Sequence, residues 1–180
     1  MIIKKINNKR GFTLIETFVA VLILVFAVIG PLGLLSRAIA DGNYAKNQVA
    51  AYYLAQEALE LFINQRDRNL QNAGVDWLDR FNFCDENSPC QLWYEDSLLV
   101  ENCVSDDVDG CRLYIENENK YTHSDNENPP SIFRRYLYLS NIEANKSANL
   151  TAVVKWVNKE TEVDFTLTTK VFNANYEITE

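Results

Sequence analysis

The sequence predicts an α+β fold, in which one long N-terminal helix packs on a C-terminal antiparallel sheet of three or four strands. Three observations predict it. Thr17 to Ser36 runs 20 residues without a charge, which at ~1.5 Å rise per residue is about 30 Å of helix. Residues 43–66 hold no Gly or Pro and are rich in helix formers. From Phe133 onward the chain is enriched in aromatic and β-branched residues, and over Thr161–Phe172 apolar residues alternate with polar ones, the period of a half-buried strand.

The averages agree with one folded domain. A chain of 180 residues is long enough to bury a core, and its 12% aromatic content excludes a disordered polymer. A mean hydropathy of −0.21 excludes several membrane spans, and a pI near 4.7 argues against a general affinity for phosphate. Charge is nevertheless segregated. All 25 acidic residues lie at or after Glu16, whereas Lys4, Lys5, Lys9 and Arg10 crowd the first ten positions. Targeting segments are built that way.

The apolar run is flanked by Lys9 and Arg10 before it and Arg37 after it. The excess of positive charge on the N-terminal side places that end in the cytoplasm and residues 41–180 outside. A buried core helix of this length would carry a polar face, and this one does not. Glu16 interrupts the apolar pattern. A carboxylate in the bilayer costs on the order of 2.5–3.5 kcal/mol, so Glu16 either stays hydrated near the interface or awaits a cation from another molecule. Gly11, just before the helix, leaves the backbone open to a protease. Gly30-Pro31 predicts a kink, because Pro31 lacks a donor and its ring meets the carbonyl of Ala27. Ala38-Ile39-Ala40 matches the A-x-A site of ordinary signal peptidase, which would release a soluble binding domain starting at Asp41. The length of the apolar run, Glu16 and Arg37 all count against that cut.

The stretch KRGFTLIE, Lys9 to Glu16, followed by an unbroken apolar helix, resembles the leader junction of type IV prepilins and type II secretion pseudopilins. The resemblance implies cleavage between Gly11 and Phe12 by prepilin peptidase and N-methylation of the new amine on Phe12. It also implies that Glu16 pairs with the N-terminal amine of a neighbouring subunit, and that Gly30 and Pro31 let the helix loosen in a filament. The implied partners are other pilin subunits, the peptidase, an inner-membrane assembly platform and the lipid bilayer. No cofactor and no direct nucleic acid binding are expected. The leader holds four of the 17 basic residues and none of the 25 acidic ones, so its removal leaves a net charge of −12.

The chain then divides into a leader (1–11), a transmembrane or filament-core helix (12–40), an amphipathic half-helix (41–66), a loop-rich variable region (67–132) and an antiparallel meander (133–180). Ala45, Val49, Tyr52, Ala55, Leu59 and Phe62 mark an apolar stripe at helical spacing, with a bend expected near Asp41-Gly42. Strands are predicted over 133–142, 150–157 and 161–172. QEALE (56–60), INQRD (63–67) and the closing meander are also similar to minor pilins. Helix plus meander is the pilin fold that the resemblance implies.

All four cysteines, Cys84, Cys90, Cys103 and Cys111, fall in the variable region. Export places them in an oxidising compartment, where an even count favours two disulfides. Of the three connectivities, proximity favours Cys84–Cys90 and Cys103–Cys111. The spacings lack the tight pairs of a zinc site. The absence of a cysteine after Cys111 departs from the pattern of many major pilins.

Ser105 to Glu116 places Asp107, Asp109 and Glu116 at three ligand positions of an EF-hand loop, which makes them candidate calcium ligands. Ser105 and Arg112 depart from that pattern, so the segment reads first as an acidic turn. Residues 116–131, with the single histidine His123, read as a solvated loop. Arg134 and Arg135 are adjacent on a strand and so face opposite sides. No nucleophile–base motif or phosphate loop is present, and no catalytic residue is predicted.

Overall fold

The computed structural model describes residues 11, 13–103, 110–116 and 120–175. One helix and seven strands follow in order: α1 (Leu14–Gln71), β1 (Cys90–Tyr94), β2 (Leu98–Asn102), β3 (Arg112–Glu116), β4 (Lys120–Thr122), β5 (Pro130–Glu143), β6 (Ser147–Asn158) and β7 (Thr161–Phe172). The chain divides into two compact units, Met1–Ala45 and Lys46–Glu180.

In the second unit, the helix lies on an antiparallel sheet, as the patterns predict. β5 is the sheet's spine. One of its edges carries β6 and then β7, with β6 and β7 in register over twelve pairs from Ser147↔Phe172 to Asn158↔Thr161. Its other edge is shared. β3 pairs near Arg134 and Pro130, and β1 meets Leu137 through Cys90. β2 and β4 close the two short hairpins. The sheet therefore has seven strands rather than three or four. The extra four come from residues 67–132, where strands of 3–5 residues are too short to show a period.

α1 continues through Gly30-Pro31, through Asp41-Gly42 and past Arg66 to Gln71. The side-chain amide of Asn72 donates to the Arg68 carbonyl at 3.0 Å, satisfying one of the helix's last acceptors. Gly74, at φ +84°, then takes the left-handed conformation that turns the chain away.

The stripe that faces the sheet is Ala51, Leu54, Ala55, Ala58, Leu59 and Phe62. Ala55, Leu59 and Phe62 were expected there. Ala45, Val49 and Tyr52 were expected too but lie exposed, Val49 by 56% and Tyr52 by 45%. The spacing favoured the larger apolar residues, whereas small alanines fill the line that runs i, i+4, i+7 from Ala51. Opposite them the sheet offers Phe133, Leu137 and Leu139 of β5 and Ala148, Leu150, Ala152, Val154 and Trp156 of β6, all buried. Phe62 and Phe81 extend this core toward the loop after the helix, their ring centroids 4.5 Å apart.

Two disulfides tie the variable region together, Cys84–Cys90 and Cys103–Cys111, with Cα separations of 5.4 and 5.2 Å. The second joins the end of β2 to the start of β3, two strands that are not neighbours in the sheet. Backbone bonds reinforce both bridges: Leu139 N donates to Cys84 O at 2.8 Å, and Arg135 N donates to Cys111 O at 2.9 Å.

Candidate functional site

Leader residues 1–10, Phe12, Asp107 and Asp109 lie outside the described residues. Gly11, the first described residue of the N-terminal site, is exposed with open space around its Cα. Thr13 starts the helix. Its carbonyl accepts from Glu16 N at 3.0 Å and Thr17 N at 3.2 Å, and its hydroxyl accepts from Glu16 N at 3.3 Å. This is the N-cap arrangement, and Thr13-Leu14-Ile15-Glu16 has the T-x-x-E spacing of a capping box. That spacing was legible in the sequence and was missed there. It places Glu16 in the first turn of α1, at the positive end of the helix dipole. Among the described residues, no salt bridge reaches the Glu16 carboxylate.

From Leu14 onward the apolar side chains of the uncharged stretch are exposed on all sides, from 86% at Leu14 to 40% at Leu22. Among the described residues, α1 is the one helix long and apolar enough to cross a membrane. Gly30 and Pro31 lie within this stretch, exposed and with open space around Gly30. Pro31 supplies no N–H to the carbonyl four residues before it. An all-round apolar helix has no water-soluble resting place; it requires lipid or the apolar faces of other helices.

A polar cluster lies in the core of the second unit. Arg135 points inward from β5 between Phe133 and Leu137 and is 1% exposed. Its guanidinium donates to Glu57 Oε2 at 2.7 Å, to the Leu54 carbonyl at 3.2 Å and to the Leu92 carbonyl at 3.0 Å. Burial lowers its pKa, and the Glu57 charge and hydrogen bond oppose that shift. Arg134, on the opposite face, pairs with Glu162. An arginine in the inward register of an otherwise apolar strand was visible as Phe133-x-Arg135-x-Leu137-x-Leu139, yet it points to no partner without the fold.

His123 is buried, contrary to the solvated loop expected for it. β4 pairs with β3 and carries the following residue under Trp93, whose ring centroid is 6.0 Å from the imidazole. His123 Nδ1 is 3.0 Å from the Arg112 carbonyl. Burial and the charge of Arg135 hold its pKa well below the ordinary 6.5, only partly offset by that hydrogen bond. Beside it is a cavity of about 440 Å³ lined by Trp93, Glu101, Tyr114, His123 and Asp125, among others.

Glu116, a candidate calcium ligand, instead meets Lys120 at 2.8 Å. Among the described residues no three His, Cys, Asp or Glu side chains converge as a metal site requires. Comparison of the chain with family models, characterised proteins and solved structures returns no match.

Proposed function

We propose that this chain is a structural subunit of the type IV pilus class, a minor pilin or the closely allied minor pseudopilin of a type II secretion filament. It is made as a prepilin with its N-terminus in the cytoplasm. Prepilin peptidase cuts after Gly11 and methylates Phe12, and the subunit waits in the inner membrane as a single-pass protein. It then joins a filament through its apolar helix, with the assembly platform and other pilin subunits as partners. Residues 41–180 form the outward head, periplasmic or extracellular after assembly.

The observation that carries this reading is the junction KRGFTLIE running directly into an apolar helix exposed on every side. A charge embedded in such a helix is tolerable when paired. A neighbour's Phe12 amine supplies the missing cation for Glu16. The helix-on-sheet head and the two disulfides, suited to an oxidising compartment, support the same reading.

The test is Glu16→Ala in cells that make the filament. Cleavage of the leader is expected to proceed, while the amount of this subunit in sheared filaments falls. Undiminished incorporation would remove the pairing role of Glu16. If instead the capping box is the whole role of Glu16, Glu16→Gln incorporates normally, because glutamine also serves at that position.

A further inference from the structure

We propose that His123 is an acid-operated latch on the β3–β4 hairpin. In its neutral form the ring holds the end of the hairpin under Trp93; once protonated it leaves for the adjoining cavity, where Glu101 and Asp125 receive its charge and β4 comes free of the sheet. This inference concerns the head alone and does not depend on the filament reading.

The tautomer follows from the contact. A carbonyl only accepts, so the 3.0 Å bond to Arg112 O puts the proton on Nδ1 and leaves the lone pair on Nε2. Nε2 is buried and has no hydrogen-bond partner among the described residues. Protonating it in place would create a buried N–H⁺ with no acceptor among the described residues, and Arg135 opposes that charge. The charged groups around the ring are arranged unequally. Arg135 of β5 repels the cation, and its partner Glu57 of α1 is already engaged at 2.7 Å. Arg112 of β3 adds a second positive charge near the cavity, whereas Glu101 of β2 and Asp125 beyond β4 offer carboxylates. β1 contributes the uncharged Trp93 and Gln91. Among the described residues, the carboxylates that favour the charged ring lie on the cavity side.

The hairpin is suited to yield. β4 is three residues long and bound on one side only, through Tyr114↔Thr122, Ile115↔Tyr121 and Glu116↔Lys120. The base of β3 is held by the Cys103–Cys111 bridge and by Arg135 N on Cys111 O. Opening is thus confined to the outer strand, while β5, β6 and β7 stay paired.

The experiment is hydrogen exchange on the full-length, disulfide-intact protein in detergent, from about pH 8 to about pH 5, with rates corrected for intrinsic exchange. Protection of residues 120–124 is expected to fall roughly tenfold across that range, with β6 and β7 unchanged. In His123→Asn, whose amide donates to the Arg112 carbonyl without titrating, protection is expected to be independent of pH. Constant protection in the wild type, or the same loss in His123→Asn, would overturn the latch. If the variant fails to fold, the ¹⁵N shift of His123 Nε2 in the wild type decides. Protonation must coincide with the loss of protection, and a ring still neutral while the hairpin opens refutes the proposal.

Discussion

The guanidinium of Arg135 meets the carboxylate of Glu57 at 2.7 Å, joining the central strand of the sheet to the helix that covers it. The two ends of this pair differ. Arg135 is 1% exposed, whereas the Glu57 side chain is 47% exposed. Removing the acid therefore strands a buried charge, and removing the base leaves a carboxylate that water can solvate. Glu57→Ala is expected to cost about 2–3 kcal/mol, below the ~3–5 kcal/mol of a fully buried pair because water partly replaces the lost oxygen. Arg135→Met, which removes the charge and keeps the volume, is expected to cost less. Chemical denaturation of both variants checks the order, and an unchanged midpoint for Glu57→Ala contradicts it.

The phase of the helix on the sheet can be tested by substituting one buried and one exposed residue of α1. Ala58 is fully buried, so Ala58→Phe overpacks the core and is expected to destabilise by about 1–3 kcal/mol. Val49 is 56% exposed, and Val49→Ser is expected to stay within about 0.5 kcal/mol. Equal losses from thermal unfolding of the two variants would mean that the helix presents a different face.

The Cys84–Cys90 bridge spans a sequence separation of 6 and lies against the start of β1. Replacing both cysteines by alanine is expected to lower stability by about 2 kcal/mol, since a short loop releases little chain entropy. Non-reducing peptide mapping of the wild type is expected to recover Cys84 joined to Cys90 and Cys103 joined to Cys111. A peptide joining Cys90 to Cys103 would contradict both bridges.

Stability should also depend on the protonation of His123. Its folded pKa lies below the ordinary 6.5, so the unfolded chain binds the proton more readily than the folded one. Stability is then fully present above 6.5 and declines as pH falls below it. Comparing denaturation midpoints at about pH 7.5 and about pH 5.5 tests this sign. The wild type is expected to lose more than His123→Asn. An equal loss in both would assign the effect to other groups.

Much of the fold was legible where periods are long. Twelve alternating residues in β7 and 20 uncharged ones in α1 fixed their elements, because hydrophobic patterning accumulates over length. β1 to β4 were not legible. Each has five residues or fewer, and their pairing is imposed by β5 and the disulfides rather than by their own pattern. The same holds for the sites. Gly11 and Glu16 stand out because a charge boundary and a lone acid in an apolar run are local signals. His123 and Arg135 do not, because burial is a property of the packed sheet. A histidine among Asn, Glu and Pro reads as solvated until β4 carries it under Trp93.

The most direct test of the pilin reading is the N-terminal peptide of the native protein, identified by mass spectrometry from the membrane fraction or from filaments. A chain beginning at N-methylated Phe12 is the expected result. A chain beginning at Asp41 would instead establish a secreted head, an intact Met1 would establish a simple anchor, and either would contradict the assignment to the pilin class.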